Sequence, residues 1–327
     1  MYDTISFKLP TSCITNEELA NFKYSLEYLK TIYRTEDNPT EYFQSKRKKF
    51  EVSITKNYIR FSKFSAPDYL HDTNERQFYF EEMVDVIDQL TKEAELPIDK
   101  AEVTRVDVAS NFNVKHEPTS YFNILDTTRN FSLRIPYPNS LNYQQKTNRK
   151  RLIFYDKKIE RASKGYSLVN EHNHSLRYEL KLIKSPHKAL KRESIILADL
   201  ANKTTQIALL ELWKKEYDLI NKIDTDACSF SYPIQTPKEL IEYLAWLQFS
   251  NNEVRTSTYN HINKWVSSGT LGRKFKENTH RKLNEINMKY SLTKPLCNNK
   301  DLSLVQELNA LFMNKFEFIM GGIKGNQ

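Results

Sequence analysis

Two short segments each carry an arginine and a carboxylate two residues apart: Arg105 with Asp107, and Arg177 with Glu179. Both pairs fall in stretches that read as strands, EVTRVDVA at 102–109 and SLRYELKLI at 175–183. Side chains alternate along a strand, so the two members of each pair point to one side of the sheet. In the first stretch Val103, Arg105 and Asp107 oppose Thr104, Val106 and Val108. In the second, Arg177, Glu179 and Lys181 oppose Leu176, Tyr178, Leu180 and Leu182. If the two strands are neighbours, one polar face gathers two carboxylates and two guanidiniums. Carboxylate oxygens suit Mg²⁺ or Mn²⁺, which makes Asp107 and Glu179 candidate metal ligands. The bland alternative is a pair of unrelated salt-bridge ladders on an exposed sheet face.

Tyr155 ends a third predicted strand, RLIFY at 151–155, and a short charged helix over 156–164 follows it. Lys158 lies three residues on, so both side chains share a helical face. A tyrosine that attacks phosphorus needs help in losing its proton, since the unperturbed pKa is about 10. It also needs a cation for the phosphate and a fixed position. A divalent metal serves as Lewis acid and template, and nearby Lys and Arg stabilise charge that builds in the transition state. Among 19 tyrosines, an ordinary half-buried aromatic is the competing reading.

Tyr155 also sits in the most basic part of the chain. The 327 residues hold 49 Lys+Arg against 41 Asp+Glu, a net charge of +8, and residues 146–164 alone carry +6. Arg149, Lys150 and Arg151 lead into the strand, and Phe154 and Tyr155 add rings that can stack on unpaired bases. Further basic runs are Lys46-Arg47-Lys48-Lys49 and residues 264–289, with Arg273 and Lys274. Each run by itself reads equally well as solvated surface. Three together point to a polyanion partner.

The elements that must position these groups read as α+β. Strand 2–9 and a hairpin over 50–62 come first. A helix over 76–95 follows, with Phe80, Met83, Val84, Ile87 and Leu90 as its apolar stripe. A short helix covers 117–126, and Pro136-Tyr137-Pro138-Asn139 reads as a loop. After Pro186 the pattern turns helical, over 191–202, 204–222, 237–249, 254–267, 273–288 and 302–319. The expected organisation is an antiparallel-rich sheet domain over 1–185 and a helical region over 186–327. The pair 254–267 and 273–288, joined through Ser267-Ser268-Gly269, reads either as a helix–turn–helix-like duplex binder or as plain surface packing.

Several classes are disfavoured. Six glycines and no GxxxxGK[ST] leave little for a glycine phosphate loop. No apolar run approaches the roughly 20 residues that span a bilayer, and the opening residues do not read as a signal peptide. Cys13, Cys228 and Cys297 fit neither a disulfide framework nor a zinc motif, so a reducing cytoplasm is expected. The histidines lack zinc spacing, and His172-Asn173-His174 is a weak His-x-His in a predicted loop.

The order and wording of four stretches resemble the gene II/X family of phage and plasmid replication proteins, with similar features in Rep_trans-type plasmid initiators. They are MYDTISFKLP, VTRVDVASNF, KRLIFYDKKIE and LRYELKL, within residues 1–225. The resemblance implies a rolling-circle initiator in the host cytoplasm. Such an enzyme nicks one strand at an origin with Mg²⁺ or Mn²⁺, and a tyrosine stays joined to the 5′-phosphate until the strand is resealed. By motif match the nucleophile is Tyr155, aided by Lys157 or Lys158. Arg105, Asp107, Arg177 and Glu179 lie near phosphate and metal. Arg149, Lys150, Arg151, Lys181, Arg273 and Lys274 complete the expected DNA contacts. Single-stranded and origin DNA are the implied partners, with a host helicase and polymerase alongside. The His-hydrophobic-His metal motif of HUH nucleases is not visible, so a metal would have to use the acids. Tyr143 and Tyr166 are candidates for a second tyrosine in joining. A DNA-binding regulator without chemistry, and a relaxase or recombinase, are the competing functions.

Overall fold

A computed structural model of the chain describes residues 1–33, 39–47, 49–72, 78–163, 165, 174–223, 252–270, 272–291 and 303–325, with isolated positions between 236 and 246. Alternation of apolar and polar residues sets its strands. β1 (Tyr2–Pro10) buries Tyr2, Ile5, Phe7 and Leu9. Next come β2 (Leu26–Tyr33), β3 (Pro39–Ser45), β4 (Glu51–Ile54), β5 (Tyr58–Ser65) and β6 (Glu102–Val114). The set continues with β7 (Leu125–Thr128), β8 (Leu133–Tyr137), β9 (Ser140–Gln144), β10 (Lys150–Asp156), β11 (His174–Leu182) and β12 (Ile220–Lys222). Among the described residues ten of them form one sheet in the order β2-β3-β4-β5-β1-β6-β11-β10-β9-β8, and β12 pairs with β7 apart from it. Every pairing in the large sheet is antiparallel. The expected α+β class holds.

The helices are α1 (Asn16–Ser25), α2 (Ala66–His71), α3 (Met83–Ala94), α4 (Pro118–Ile124), α5 (Lys157–Ser163), α6 (Pro186–Ala189) and α7 (Lys203–Asp218). Beyond them lie α8 (Asn252–Ser267), α9 (Arg273–Ser291) and α10 (Leu304–Gly325). Among the described residues no helix is long and apolar enough to cross a membrane. By its contacts the chain divides into two compact units. One is Met1–Ile223 with Leu304–Gln327, and the other is Asp224–Ser303. In the second, α8 and α9 are joined by a turn in which Gly269 has φ +74°, a left-handed conformation that glycine adopts at little cost.

One sheet face is apolar. Val106, Val108 and Phe112 of β6, Leu176, Tyr178, Leu180 and Leu182 of β11, and Leu152 and Phe154 of β10 are all buried. The core continues into α7 and α10. Phe312 stacks on Phe112 at 4.3 Å between ring centroids, on Tyr217 at 3.5 Å and on Trp213 at 5.2 Å. Through those rings, residues near the end of the chain seal the layer behind β6 and β11.

Several local expectations need correcting. The helix expected over 76–95 starts only at Met83. Phe78 and Phe80 precede it at a spacing of two, and both rings pack on Tyr2. Val84 is exposed, and Val86 takes its place in the buried stripe. Of the loop expected at 136–139, Pro136 and Tyr137 end β8 and Pro138-Asn139 turns the β8–β9 hairpin, with Tyr137 opposite Ser140. The helix expected over 191–202 is a 3₁₀ turn, Leu197–Ala201. The segment before it runs beside β6, where Val103 N donates to Ile195 O and Leu197 N to Ala101 O. Asn202 then caps α7, accepting from Thr204 N. α7 stops at Asp218, and β12 replaces the rest of the helix expected to 222. Strands β2 and β3 and helices α1 and α2 were not expected. Helix 237–249, His172, Tyr166, Cys228 and Cys297 lie outside the described residues or mostly so.

The ring stack yields a prediction. Phe312→Ala should destabilise the protein by about 3–5 kcal/mol, the usual cost of truncating a fully buried aromatic. Urea unfolding followed by tryptophan fluorescence would read it through Trp213. A loss within experimental error would mean that α10 is dispensable to the sheet unit.

Candidate active site

The polar face of the same sheet is built from four adjacent strands, β1, β6, β11 and β10. In register, Asp107 stands opposite Lys181 and Asn111 opposite Arg177 across β6 and β11. Across β11 and β10, Arg177 faces Tyr155 and Lys181 faces Arg151. Opposed residues of an antiparallel pair share a face. One side of the sheet therefore presents Arg105, Asp107 and Asn111, then Lys181, Glu179 and Arg177, then Arg151, Ile153 and Tyr155. The two acid-bearing strands are neighbours, so the paired motifs meet.

Arg177 is the hub. Its Nε donates to Glu179 Oε1 at 2.8 Å, Nη1 to Asn111 Oδ1 at 3.0 Å and Nη2 to Asp3 Oδ1 at 2.6 Å. The Tyr155 hydroxyl donates to the same Glu179 Oε1 at 2.7 Å. Arg105 grips Asp107 with two bonds, Nε to Oδ1 at 2.9 Å and Nη2 to Oδ2 at 2.6 Å. Lys181 Nζ lies between the two motif acids, 3.2 Å from Asp107 Oδ2 and 2.6 Å from Glu179 Oε2. Asp107, Arg177 and Glu179 are all buried. The reading as an exposed salt-bridge ladder is therefore set aside. Three carboxylates face three cations, Arg105, Arg177 and Lys181, so the network is close to neutral.

That balance fixes the protonation states. Burial pushes the Tyr155 phenol far above its ordinary pKa; Arg177 pulls it back, and the Glu179 charge pushes it further up. Burial also favours the neutral form of Glu179, but Arg177 and Lys181 outweigh it and hold the carboxyl down at about 2. For Asp107 burial wins, raising its pKa against the pull of Arg105 and Lys181. Tyr155 in the free protein is a protonated phenol aimed at an ionised carboxylate.

Helix α5 starts directly after Tyr155. Asp156 Oδ1 caps it, accepting from Lys158 N at 2.8 Å and Ile159 N at 3.2 Å. Lys157 is buried, and its ammonium donates to Glu160 Oε2 at 2.8 Å. Burial lowers its pKa, and the charge of Arg177 lowers it further. Lys157 is thus within electrostatic reach of the Tyr155 network. Lys158 is half-buried on the same helix.

The other expected contacts are scattered. Arg151 shares the Tyr155 face; its Nε is buried with no hydrogen-bond partner among the described residues. Lys150 points the other way, to Glu216 Oε1 of α7 at 2.8 Å. Arg149 is exposed beyond the start of β10. Lys274 is exposed on α9 in the second unit, and Arg273 belongs to the same helix. Tyr143 is buried, its hydroxyl donating to Asp126 O at 2.6 Å, in the core rather than at the site. The motifs missed Asp3 and Asn111. Alternation along β6 carries from Asp107 to Asn111 and offered a signal. Asp3 offered none, because nothing in the sequence sets β1 beside β6.

As arranged, Asp107 and Glu179 do not fit a divalent cation. Their oxygens have the right chemistry, yet each is already bonded to a guanidinium, and the Lys181 ammonium occupies the bridging position between them. Among the described residues no three His, Cys, Asp or Glu side chains group in a way that could hold a metal ion.

Residues 71–205 match the family model for the N-terminal part of a phage replication-associated protein. This match bears out the resemblance drawn from the motifs and supports a role in phage DNA replication. It spans β6, β10, β11 and α5, and so Tyr155 with both acid-bearing strands; Asp3 lies outside it. No curated protein matches the chain.

The network yields a prediction through linkage. The folded pKa of Glu179 lies below its unfolded value of 4.5, at about 2. Its ionised form therefore contributes stability above about pH 4.5, and that contribution fades as pH falls toward 2. Glu179→Gln should cost about 3 kcal/mol at pH 7, since it leaves the buried Arg177 short of a countercharge. The gap to the parent should narrow steadily as the pH is lowered through that window. Urea unfolding across the range measures it, and a gap independent of pH would show that Glu179 is not ionised in the fold.

Proposed function

We propose that the chain nicks and rejoins one DNA strand during phage replication, with Tyr155 as the nucleophile. The observation that carries this reading is the Tyr155 hydroxyl bonded to Glu179 inside a cluster of Arg177, Lys181 and Arg105. In the proposed step the phenolic oxygen forms a bond to phosphorus and the phosphorus–O3′ bond breaks. The phenol proton passes to Glu179, and O3′ leaves as a hydroxyl after taking a proton. The strand is then held as a 5′-phosphotyrosyl ester, and the reverse attack by a 3′-hydroxyl reseals it.

The electrostatics favour a trigger by the substrate itself. Without DNA, Glu179 is too weak a base for a phenol. A phosphate entering beside Arg177 and Lys181 competes for the same donors. Each bond they surrender lets the Glu179 pKa climb, while the phenolate gains their positive charge. Lys157 is the favoured proton donor to O3′. Its pKa is lowered by burial and by Arg177, which makes it a stronger acid than an ordinary lysine.

A second reading is a DNA-binding replication regulator without chemistry. The closed charge balance around Tyr155, with its proton firmly held, favours it. The two separate cleanly. Tyr155→Phe should give no protein–DNA adduct on a denaturing gel with single-stranded origin DNA, while binding stays near the parent's. Unchanged nicking would rule out Tyr155; an absence of nicking by the parent on its own origin would favour the regulator. Lys157→Ala should slow nicking by roughly 10²–10⁴-fold, the usual contribution of a general acid. Lys158→Ala should cost far less, and single-turnover rates would show a reversal of that order.

A further inference from the structure

Among the described residues a dense concentration of unpaired positive charge lies away from Tyr155, at the opposite end of β10. A cleft of about 590 Å³ opens there between three loops, around residues 129–132, 145–150 and 182–191. Arg129, Lys146, Arg149, Lys184, Lys188 and Lys191 line it, and no lining residue is acidic. All six are exposed, and none has a side-chain hydrogen bond or ion pair among the described residues. A seventh, Lys150, is bound to the buried Glu216, which also accepts from Asn130 Nδ2 at 2.9 Å. That shared carboxylate ties two of the loops to α7 and fixes the cleft wall.

The backbone supports a built site. Among the described residues six non-glycine positions have left-handed backbone, and three of them sit on these loops: Asn148 at φ 49°, Ser185 at 51° and Lys191 at 57°. Such conformations are disfavoured for side-chain-bearing residues and persist where surrounding structure imposes them, often at ligand clamps. Six like charges converging on one concavity repel each other, and a polyanion relieves that cost.

We propose that this cleft grips the sugar–phosphate backbone of DNA, as a second anchor separate from the reacting centre. The inference rests on the reading of the substrate as DNA. The cleft is larger than one phosphate needs, and its cations are spread over three loops, which suits consecutive phosphates on one strand. The five steps from Lys150 to Tyr155 span roughly 17 Å of extended chain. A stacked strand advances about 3.4 Å per nucleotide, and Lys150 faces away from Tyr155, so the anchor stands at least about five nucleotides of reach from the phosphotyrosyl bond. A strand held there stays on the protein between nicking and rejoining.

The test compares salt dependence. In the full chain carrying Tyr155→Phe, affinity for a single-stranded oligonucleotide is measured against salt concentration. Each phosphate contact contributes about 0.7 to the slope of log affinity on log salt, so Lys146→Gln, Lys184→Gln and Lys188→Gln together should lower it by about 2. A control triple of equal charge change, Lys92→Gln, Lys100→Gln and Lys115→Gln, should leave the slope near the parent's. Equal slopes in the two triples, with both folded by circular dichroism, would overturn the proposal. Competition by free deoxynucleoside triphosphate that disappears in the first triple, with no change in DNA slope, would also overturn it. A parent chain without salt-dependent DNA affinity would instead remove the reading beneath it, whereas nicking that survives Tyr155→Phe would leave the anchor standing.

Discussion

The polar face is organised by the buried guanidinium of Arg177. Its nitrogens reach Asp3 on β1, Asn111 on β6 and Glu179 on its own strand, and Glu179 passes the connection to Tyr155 on β10. Four strands are thereby joined by one planar cation. Arginine suits this place because its fork of donors is rigid and always charged. A lysine would satisfy fewer acceptors and would shift toward neutrality when buried. The cost of burying such charges is recovered only if every partner is in place. The arrangement therefore ties the order β1-β6-β11-β10 from the polar side, and the apolar layer ties it from the other.

A balanced cluster holds its proton-bearing member in a resting state. Tyr155 keeps its hydrogen because burial disfavours the phenolate and Glu179 stays charged. Lys181 belongs to the same balance. Its ammonium bridges the two motif carboxylates, so the cation that neutralises them is supplied by the chain. Any group entering the face must bargain with that lysine. An anion does so by drawing it away from the acids, and a cation only by displacing it. The resting geometry thus discriminates by charge before shape has any part.

Much of this face was legible from alternation alone. Arg-x-Asp and Arg-x-Glu at a spacing of two settled that each pair shares a side, and Tyr155 at a strand-to-helix junction placed its ring at a strand end. What alternation cannot supply is adjacency. Asp3 entered the network only because β1 lies beside β6, a pairing made across about a hundred residues. The same limit explains Lys150 and Arg151, consecutive in sequence and grouped together by charge. The fold sends them to opposite faces, one to Glu216 and the other beside Lys181. Errors in the helices have a different source. Phe80 fits a helical stripe on paper, but Phe78 and Phe80, spaced by two, both pack on Tyr2 ahead of the helix.

Placement of charge along β10 suggests why one strand carries so basic a stretch. At its Tyr155 end Arg105, Arg177 and Lys181 are matched by Asp3, Asp107 and Glu179, which under the proposed chemistry would give a reacting phosphate fixed, preorganised partners. Beyond its Lys150 end the six exposed cations of the cleft stand, among the described residues, without acids, which under the proposed grip supplies net charge with little geometry. The two ends differ in burial as well: the first is enclosed, where each interaction is strong and specific, and the second is open, where salt screens it. On the two proposals, chemistry and grip call for opposite electrostatic designs, and β10 from Lys150 to Tyr155 keeps them apart.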